Sequence, residues 1–178
     1  VELGVKFRSD SDGVITGVRF YKGGAANGGT HVGHLWTGSG TLLGTVTFAN
    51  ETASGWQQAL FPTPIPITAN TTYVVSYFAP QGNYAADLNY FASSGVDNGP
   101  LRALSNALAG GNGVYRYAPT GGFPTNTYQS SNYWVDVVFE KPVLTVAGVE
   151  AENKVYEGTT DAPLIVSGAV LVGVDQVV

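Results

Sequence analysis

The sequence contains neither cysteine nor methionine, and it carries few charged side chains. Without cysteine the chain has no disulfide, no thiol nucleophile and no thiolate metal site. Only 12% of the 178 residues are charged, against about 25% in an average globular chain. Only 8 residues are Lys or Arg, and the net charge is -5. We therefore predict no binding to nucleic acid or to anionic membrane surfaces, because neither array of phosphates attracts an acidic protein.

Long apolar runs are missing as well. None approaches the roughly 20 residues that span a bilayer, so we predict no membrane insertion. Because the chain starts at Val1 and has no methionine, we expect an excised or processed piece of a longer protein. Any signal peptide or anchor would then lie outside this piece.

Histidine is scarce, which limits the enzymatic chemistry that the chain can perform. His31 and His34 are the only two. Three positions apart on a strand-like segment, they should point to opposite faces and could not chelate one metal ion together. No nucleophile-elbow or related motif accompanies them. We therefore predict a protein that is not an enzyme.

Glycine and aromatic residues are abundant instead. The chain has 24 Gly, 10 Tyr, 8 Phe and 3 Trp, which is typical of extended surface modules with tight turns. Apolar and polar residues alternate along several segments, which predicts strands. These segments are 1–7, 14–21, 31–36, 42–48, 114–117 and 133–140. In the second of them Val18 and Phe20 should face inward and Arg19 and Tyr21 outward. We predict an all-β fold, an antiparallel β-sandwich of jelly-roll or immunoglobulin-like type.

The segment 55–78 lies at the centre of the predicted fold. Its last six residues, which begin with Tyr73, are apolar on both faces, so we predict a strand in the middle of a sheet. Tyr73 follows a short polar turn, as in the tyrosine corner of sandwich domains. Pro62, Pro64 and Pro66 lack a backbone donor. We expect them to cross from one sheet to the other, because they can hardly sit within a sheet.

Residues 80–113 show no clear period and are rich in Gly, Asn, Ser and single aromatic residues. Long loops of this kind tend to carry function. Within them, Ala and Leu dominate 101–108, where we expect one or two turns of helix.

The pair Lys141-Pro142 marks a domain boundary, since the composition then shifts to Val, Ala and Glu. We predict a β-sandwich domain over 1–140, followed by a linker and a short additional β segment over 141–178. The tail is too short to bury a core of its own. Its strands should leave unpaired edges. We expect the tail to pair with the first domain or with a second copy as an edge-strand dimer, or to be partly disordered in solution.

Nine segments, taken in order, resemble one known module. They are VELGVKF, GVRFYKG, GTHVGHLW, TLLGTVTF, ETASGWQQALF, ITANTTYVVSYFAP, GNYAADLNYF, NGVYRY and NYWVDVVF. Over residues 1–140 they resemble the bacterial surface module catalogued as domain of unknown function 4082. The resemblance implies a secreted or cell-surface β-sandwich within large multidomain proteins, beside immunoglobulin-like, cadherin-like and polysaccharide-active modules. It implies no established reaction.

The tail resembles a second family. Residues 153–160, NKVYEGTT, are similar to the start of the YDG repeat of filamentous adhesins, which has Asp where this chain has Glu157. A partial YDG-like repeat would thus occupy 143–178. The two resemblances together imply a repeat-built bacterial adhesin or surface enzyme, extracellular or on the cell surface. Neighbouring domains of the same chain would be its partners.

Four carboxylates are candidate ligands for calcium. Asp10 and Asp12 alternate with serine in the tight turn before Gly13, and such a turn supplies hard oxygen ligands. Glu2 and Asp136 form a second candidate pair, because the first and last strands of a sandwich are often neighbours and both carboxylates interrupt apolar runs. For the first pair the alternative is ordinary turn chemistry, since no third carboxylate lies nearby.

Tyrosines in loop-like sequence are the main candidates for ligand binding. A flat ring offers a platform for the C–H face of a sugar, and neighbouring polar side chains can bond its hydroxyl groups. The candidate ligand-binding residues are His31, Tyr84, Asp87, Tyr90, Tyr115, Arg116, Tyr117 and Tyr128. Two alternatives remain open. His31 would be a hydrogen-bonding residue at the start of a strand, and the tyrosines would cover the ends of the core.

The leading hypothesis is a non-catalytic binding module for a polysaccharide or cell-surface glycan. Its site would lie on the loops near 21–34, 80–98 and 111–133. The competing hypothesis is a purely structural spacer of an adhesin or surface enzyme, with no ligand of its own. A concave patch with two or more exposed Tyr or Trp rings beside Asp87 or Arg116 would favour binding. A smooth polar loop end would favour the spacer.

Overall fold

The computed structural model describes residues 1–141 and, beyond them, short strands at 145–147, 150–151, 164–165 and 170–172. The chain divides into two compact units, Val1–Lys141 and Pro142–Val178. The segment 153–160, predicted to begin an adhesin repeat, lies outside the described residues. In the part of the chain that the structure describes, no helix is long and apolar enough to cross a membrane.

The alternating segments form antiparallel sheets. In chain order the elements are β1 (Glu2–Ser9), β2 (Gly13–Lys22), β3 (Val32–Thr37), β4 (Leu42–Thr47), β5 (Gly55–Ile67), β6 (Tyr73–Phe78), β7 (Val96–Asn98), β8 (Leu101–Ala103), α1 (Asn106–Ala109), β9 (Val114–Arg116), β10 (Asn126–Thr127), β11 (Val135–Glu140), β12 (Thr145–Ala147), β13 (Glu150–Ala151), β14 (Leu164–Ile165) and β15 (Val170–Val172). In the tail, β12 pairs with β15 and β13 with β14.

Two sheets form the first unit. The larger has the strand order β10-β9-β1-β6-β3-β4, and the hairpin β7–β8 joins it where β8 pairs with β1. The smaller has the order β11-β2-β5. The two sheets pack face to face around a shared apolar core, so the predicted all-β sandwich is confirmed.

The core holds the inward-facing residues of both sheets. Val18 and Phe20 of β2 are fully buried, while Tyr21 is exposed and Arg19 half-buried on the other face, as the alternation predicts. Phe20 stacks on Tyr77 of the larger sheet, with ring centroids 4.4 Å apart and planes 17° from parallel. Such contacts between large side chains hold the two sheets together.

Strand β6 is the central strand of the larger sheet, between β1 and β3. Its residues from Tyr73 to Tyr77 are all buried, so both faces are covered, as predicted. The Tyr73 hydroxyl accepts a hydrogen bond from the backbone N–H of Thr68 at 3.0 Å. This is the predicted tyrosine corner, which ties the start of β6 to the end of β5.

The three prolines do not cross between the sheets, which corrects the prediction. Pro62, Pro64 and Pro66 all lie within β5, which pairs with β2 alone among the described strands. The register shifts between Leu60 and Ile65, so the residues between them bulge out of the ladder. A bulged edge strand tolerates residues without a donor because many of its N–H groups have no partner to lose.

The segment 101–108 also differs from its prediction at its start. Its first residues form β8, and only one turn of helix follows, as α1. Ser105 caps that turn by accepting a hydrogen bond from the N–H of Leu108 at 3.3 Å.

Candidate functional site

The outer face of the smaller sheet carries a row of aromatic rings. Strand alternation points Tyr21 of β2 away from the core, and strand pairing places Trp56 of β5 directly opposite it. On the other side of Tyr21 lies Trp134, whose carbonyl accepts the Tyr21 N–H at 2.8 Å. A polar row runs beside this aromatic row, and it consists of Asp136, Arg19 and Gln58.

The rings of Tyr21, Trp56, Tyr90 and Trp134 line a depression that we name the aromatic groove. Ring centroids are 5.8 Å apart for Tyr21 and Trp56, 6.4 Å for Trp56 and Trp134, and 5.5 Å for Tyr90 and Trp134. The corresponding angles between ring planes are 78°, 80° and 66°. Trp56 is 47% exposed, Tyr21 39% and Tyr90 38%. Ring faces and edges are therefore accessible to a ligand.

Two adjoining cavities flank Trp56 and Trp134. One, of about 530 Å³, extends along β11 to the hairpin β7–β8 and includes Tyr90. The other, of about 510 Å³, lies beside Tyr21 and Asp87. Both volumes fall within the range of roughly 300–1,000 Å³ that is usual for small-molecule sites.

The loop that follows β6 supplies Asp87 and Tyr90. Asp87 exchanges two backbone hydrogen bonds with Asn132, each of 2.9 Å. The Asp87 carboxylate also accepts a hydrogen bond from the indole Nε1 of Trp134 at 3.0 Å. These bonds fix the loop beside the start of β11 and place an exposed carboxylate at the rim of the aromatic groove.

Trp134 has a strained backbone. Its φ of 52° lies in the left-handed region, which costs a bulky side chain of order 1–3 kcal/mol. Three hydrogen bonds hold it there. The backbone N–H donates to Asn132 Oδ1 at 2.9 Å, the carbonyl accepts from Tyr21, and the indole donates to Asp87. The two backbone hydrogen bonds hold the main chain of Trp134, and the hydrogen bond to Asp87 orients its ring.

The polar row begins with an ion pair. Arg19 and Asp136 face each other across β2 and β11. The Arg19 guanidinium also lies 5.1 Å from the centre of the Trp56 ring, a cation–π contact. Arg19 Nε is buried without a hydrogen-bond partner among the described residues. Gln58 completes the row and is exposed. Polar groups that can hydrogen-bond to the hydroxyls of a ligand thus lie next to rings that can pack against its apolar faces.

Several of the predicted tyrosines form a separate cluster outside the aromatic groove. Tyr84 contacts the buried Tyr133 edge to face at 5.7 Å, and Tyr115 contacts Tyr117 at 5.4 Å. Burial and the neighbouring Tyr117 hydroxyl raise the pKa of Tyr84 to about 12. Tyr117 and Tyr128 are 71% and 54% exposed. Because Tyr90 lies at the aromatic groove instead, the predicted tyrosines do not form one site.

Of the predicted ligand-binding residues, Asp87 and Tyr90 lie at the aromatic groove. Arg116 lies elsewhere, where its guanidinium would be 2.6 Å from a Cβ placed on Gly122. Sequence reasoning missed Trp56 and Trp134. The outward direction of Tyr21 could have pointed to them, but only with the pairing of β2 known, because these residues are far apart along the chain.

His31 is corrected from a ligand contact to a structural residue. It is fully buried, and its ring packs on Phe20 at 4.6 Å. Its Nδ1 lies 2.9 Å from the carboxylate of Glu51 and its Nε2 lies 2.7 Å from Asn27 Oδ1. Desolvation lowers the pKa of His31 despite the nearby carboxylate. The alternative interpretation, a hydrogen-bonding residue at the start of β3, describes this environment.

Asp10 and Asp12, the first candidate calcium pair, each have a protein partner. Arg102 donates to both carboxylate oxygens of Asp10, at 2.7 and 2.8 Å, and this hydrogen bonding lowers the pKa of Asp10. Asp12 accepts a hydrogen bond from the backbone N–H of Ala69 at 2.7 Å. The loop therefore uses its carboxylates to hold neighbouring segments.

The second candidate pair is not brought together. Glu2 lies in the larger sheet and Asp136 in the smaller, because β11 pairs with β2 and not with β1. Among the residues that the structure describes, no three His, Asp or Glu side chains meet as a metal site requires.

Glu2 anchors a buried polar network on the outer face of the larger sheet. It accepts hydrogen bonds from the Ser76 hydroxyl and from the N–H of Gly122 at 3.3 Å, and it lies 2.8 Å from His34 Nδ1. Trp36 Nε1 donates to the Ser76 hydroxyl at 2.8 Å. Because Ser76 donates to the carboxylate, His34 is not placed to take its proton as in a Ser-His-acid triad. We interpret this network as structural.

Comparison with known proteins gives one match. Residues 1–135 match the family described as Domain of unknown function (DUF4082). Neither the curated proteins nor the solved structures contain a match to the chain. The resemblance stated for the first domain is thus confirmed over these residues, and the YDG resemblance of the tail stays a prediction.

Proposed function

The chain belongs to the family described as Domain of unknown function (DUF4082), and from this premise we propose that it is a non-catalytic extracellular binding module of a large bacterial surface protein. The aromatic groove is its site, and carbohydrate is its ligand. The observation that carries the proposal is the aromatic row beside the polar row. Sugars have apolar C–H faces that pack on rings and hydroxyl groups that bond to polar side chains, and the groove offers both.

Rigidity of the groove supports the proposal. Trp134 is held by three hydrogen bonds in a strained conformation, and Asp87 is tied to Asn132 through the backbone. A ligand that meets side chains already in place loses less conformational entropy on binding. Strained residues cluster at binding sites for this reason.

The alternative is a spacer without a ligand. Single exposed aromatic residues are common on protein surfaces and need no explanation. Four rings around two adjoining cavities, with a carboxylate at the rim, are a contiguous patch of the kind that favours recognition. This grouping makes binding the preferred proposal.

The test is a glycan array read with the labelled full chain and two variants. Trp56→Ala removes a half-exposed ring from the groove. We expect the affinity for any bound glycan to fall at least about tenfold, which corresponds to 1.4 kcal/mol. Leu60→Ala is the matched control, because Leu60 is 58% exposed on the same face of β5 and borders neither cavity. Its affinity should stay within about twofold of the parent.

An array without a hit on folded protein at high concentration would favour the spacer. A hit that Trp56→Ala leaves unchanged would move the site away from the aromatic groove.

A further inference from the structure

In the aromatic groove, the rings that touch each other are not coplanar. A crystalline polysaccharide presents a flat face several chains wide, and a binding surface must offer coplanar rings to lie against it. Neighbouring rings in the groove are tilted by 66° to 80°. The ring of Trp56 therefore cannot lie against the same plane as the ring of Tyr21 or the ring of Trp134. The rings act as walls, and the space between them suits one chain.

Charge at the groove is unfavourable for acidic ligands. The charged residues that line the two cavities are Arg19, Asp136 and Asp87. Arg19 and Asp136 form an ion pair whose charges cancel, so the carboxylate of Asp87 leaves the site with a net negative charge. A uronate or sulfate group would be repelled by Asp87 and would have to compete with Asp136 for Arg19. An uncharged sugar faces neither obstacle.

The two cavities adjoin at Trp56 and Trp134. A single sugar can occupy one side of this pair. A ligand that contacts both sides must extend from the cavity beside Tyr21 and Asp87 to the one beside Tyr90. A chain of linked sugars can therefore use both cavities, whereas a monosaccharide can use only one.

From these three observations we infer that the groove binds a single uncharged polysaccharide chain, which passes from one cavity to the other between the tilted rings. Crystalline polysaccharide surfaces and anionic glycans are excluded. The inference rests on the proposed carbohydrate function and names the class of ligand for the same site.

The test uses the full chain in native gels that contain one soluble polysaccharide each. The neutral probes are hydroxyethyl cellulose, mixed-linkage glucan, galactomannan and soluble starch. The anionic probes are polygalacturonate, alginate and hyaluronate. Powdered crystalline cellulose and chitin are tested by sedimentation. We expect retardation in at least one neutral gel, and neither retardation in the anionic gels nor sedimentation with the powders. Trp56→Ala should abolish the retardation, and Leu60→Ala should keep it.

A charge variant examines the second argument. Asp87→Asn removes the negative charge and keeps an oxygen that can accept from Trp134 Nε1. At low salt we expect Asp87→Asn, unlike the parent, to be retarded in at least one anionic gel, and this retardation to vanish at high salt, because screening removes the interaction. If Asp87→Asn migrates like the parent in every anionic gel at low salt, Asp87 does not select against anionic chains.

The outcomes separate this inference from the proposed function. Sedimentation with a crystalline powder, or retardation by an anionic chain, that Trp56→Ala abolishes would overturn the inference and leave carbohydrate binding in place. A monosaccharide that competes as well, mole for mole, as an oligosaccharide of the bound polymer would overturn the chain argument. Folded protein that binds none of the probes would overturn both proposals.

Discussion

The strained backbone of Trp134 leads to a prediction that reverses the usual order of two substitutions. Glycine is normally worse than alanine within a strand by about 0.5–1 kcal/mol, because it loses more conformational freedom on folding. At Trp134 the φ of 52° penalises any residue with a Cβ. Trp134→Gly should therefore be more stable than Trp134→Ala, although both lose the same ring contacts.

The magnitude follows from two opposing effects. The left-handed conformation costs an L-residue about 1–2 kcal/mol, and glycine avoids that cost. In the opposite direction, the alanine variant loses less conformational entropy on folding than the glycine variant, which favours alanine by about 0.5–1 kcal/mol. The difference should leave the glycine variant ahead by about 0.5–1 kcal/mol. At Val138, a half-buried residue of β11 without positive φ, the order should be the ordinary one.

The assay is urea unfolding of the full chain followed by tryptophan fluorescence. Trp36 and Trp56 remain in the Trp134 variants, and both lie in the first unit, so the signal reports on the sandwich. With a slope of about 1–3 kcal/mol per molar urea, the expected difference shifts the midpoint by a few tenths of a molar. If Trp134→Ala is at least as stable as Trp134→Gly while Val138 shows the ordinary order, the backbone at 134 is not strained and the argument for a rigid groove fails.

Three further predictions concern the rest of the sandwich. Burial lowers the pKa of His31, so the unfolded state binds protons more readily, and the free energy of unfolding should fall as the pH drops below about 6.5. Burial alone would raise the pKa of Glu51, but hydrogen bonds from its two partners outweigh it and lower the pKa. The stability that the ionised Glu51 contributes is lost as the pH falls further, below 4.5. Urea midpoints that rise on acidification would contradict the expected effects of both His31 and Glu51. Gly121→Ala should lower the free energy of unfolding by about 1–3 kcal/mol, because its Cβ would lie 2.7 Å from a carboxylate oxygen of Glu2 in the buried network. Gly24→Ala is the control, because a Cβ there meets open space, and it should unfold at the same urea concentration as the parent. A chain ending at Glu140 should keep its melting temperature, and a large loss would show that the tail belongs to one larger sandwich.

The residues that form the core were predictable because their signal is local. In β2 the alternation alone places Val18 and Phe20 inside and Tyr21 outside, since successive side chains of a strand point to opposite faces. The double apolar pattern of β6 and the turn before Tyr73 likewise indicate a central strand with a tyrosine corner. The prediction from the β5 prolines was wrong because a missing backbone donor shows only where strand pairing is restricted. It does not show which sheet edge or bulge accommodates the proline.

The sequence by itself therefore determined the fold class, the strands with alternating residues and the inward residues of those strands, because each depends on a period of two along one segment. Only the tertiary structure decided the candidate site. Tyr21, Trp56 and Trp134 come from distant parts of the chain, and their adjacency depends on the register of three strands. The same holds for His31, whose burial depends on what packs over it. Pairing between distant segments is set by the summed packing of the whole sandwich, which no local pattern encodes.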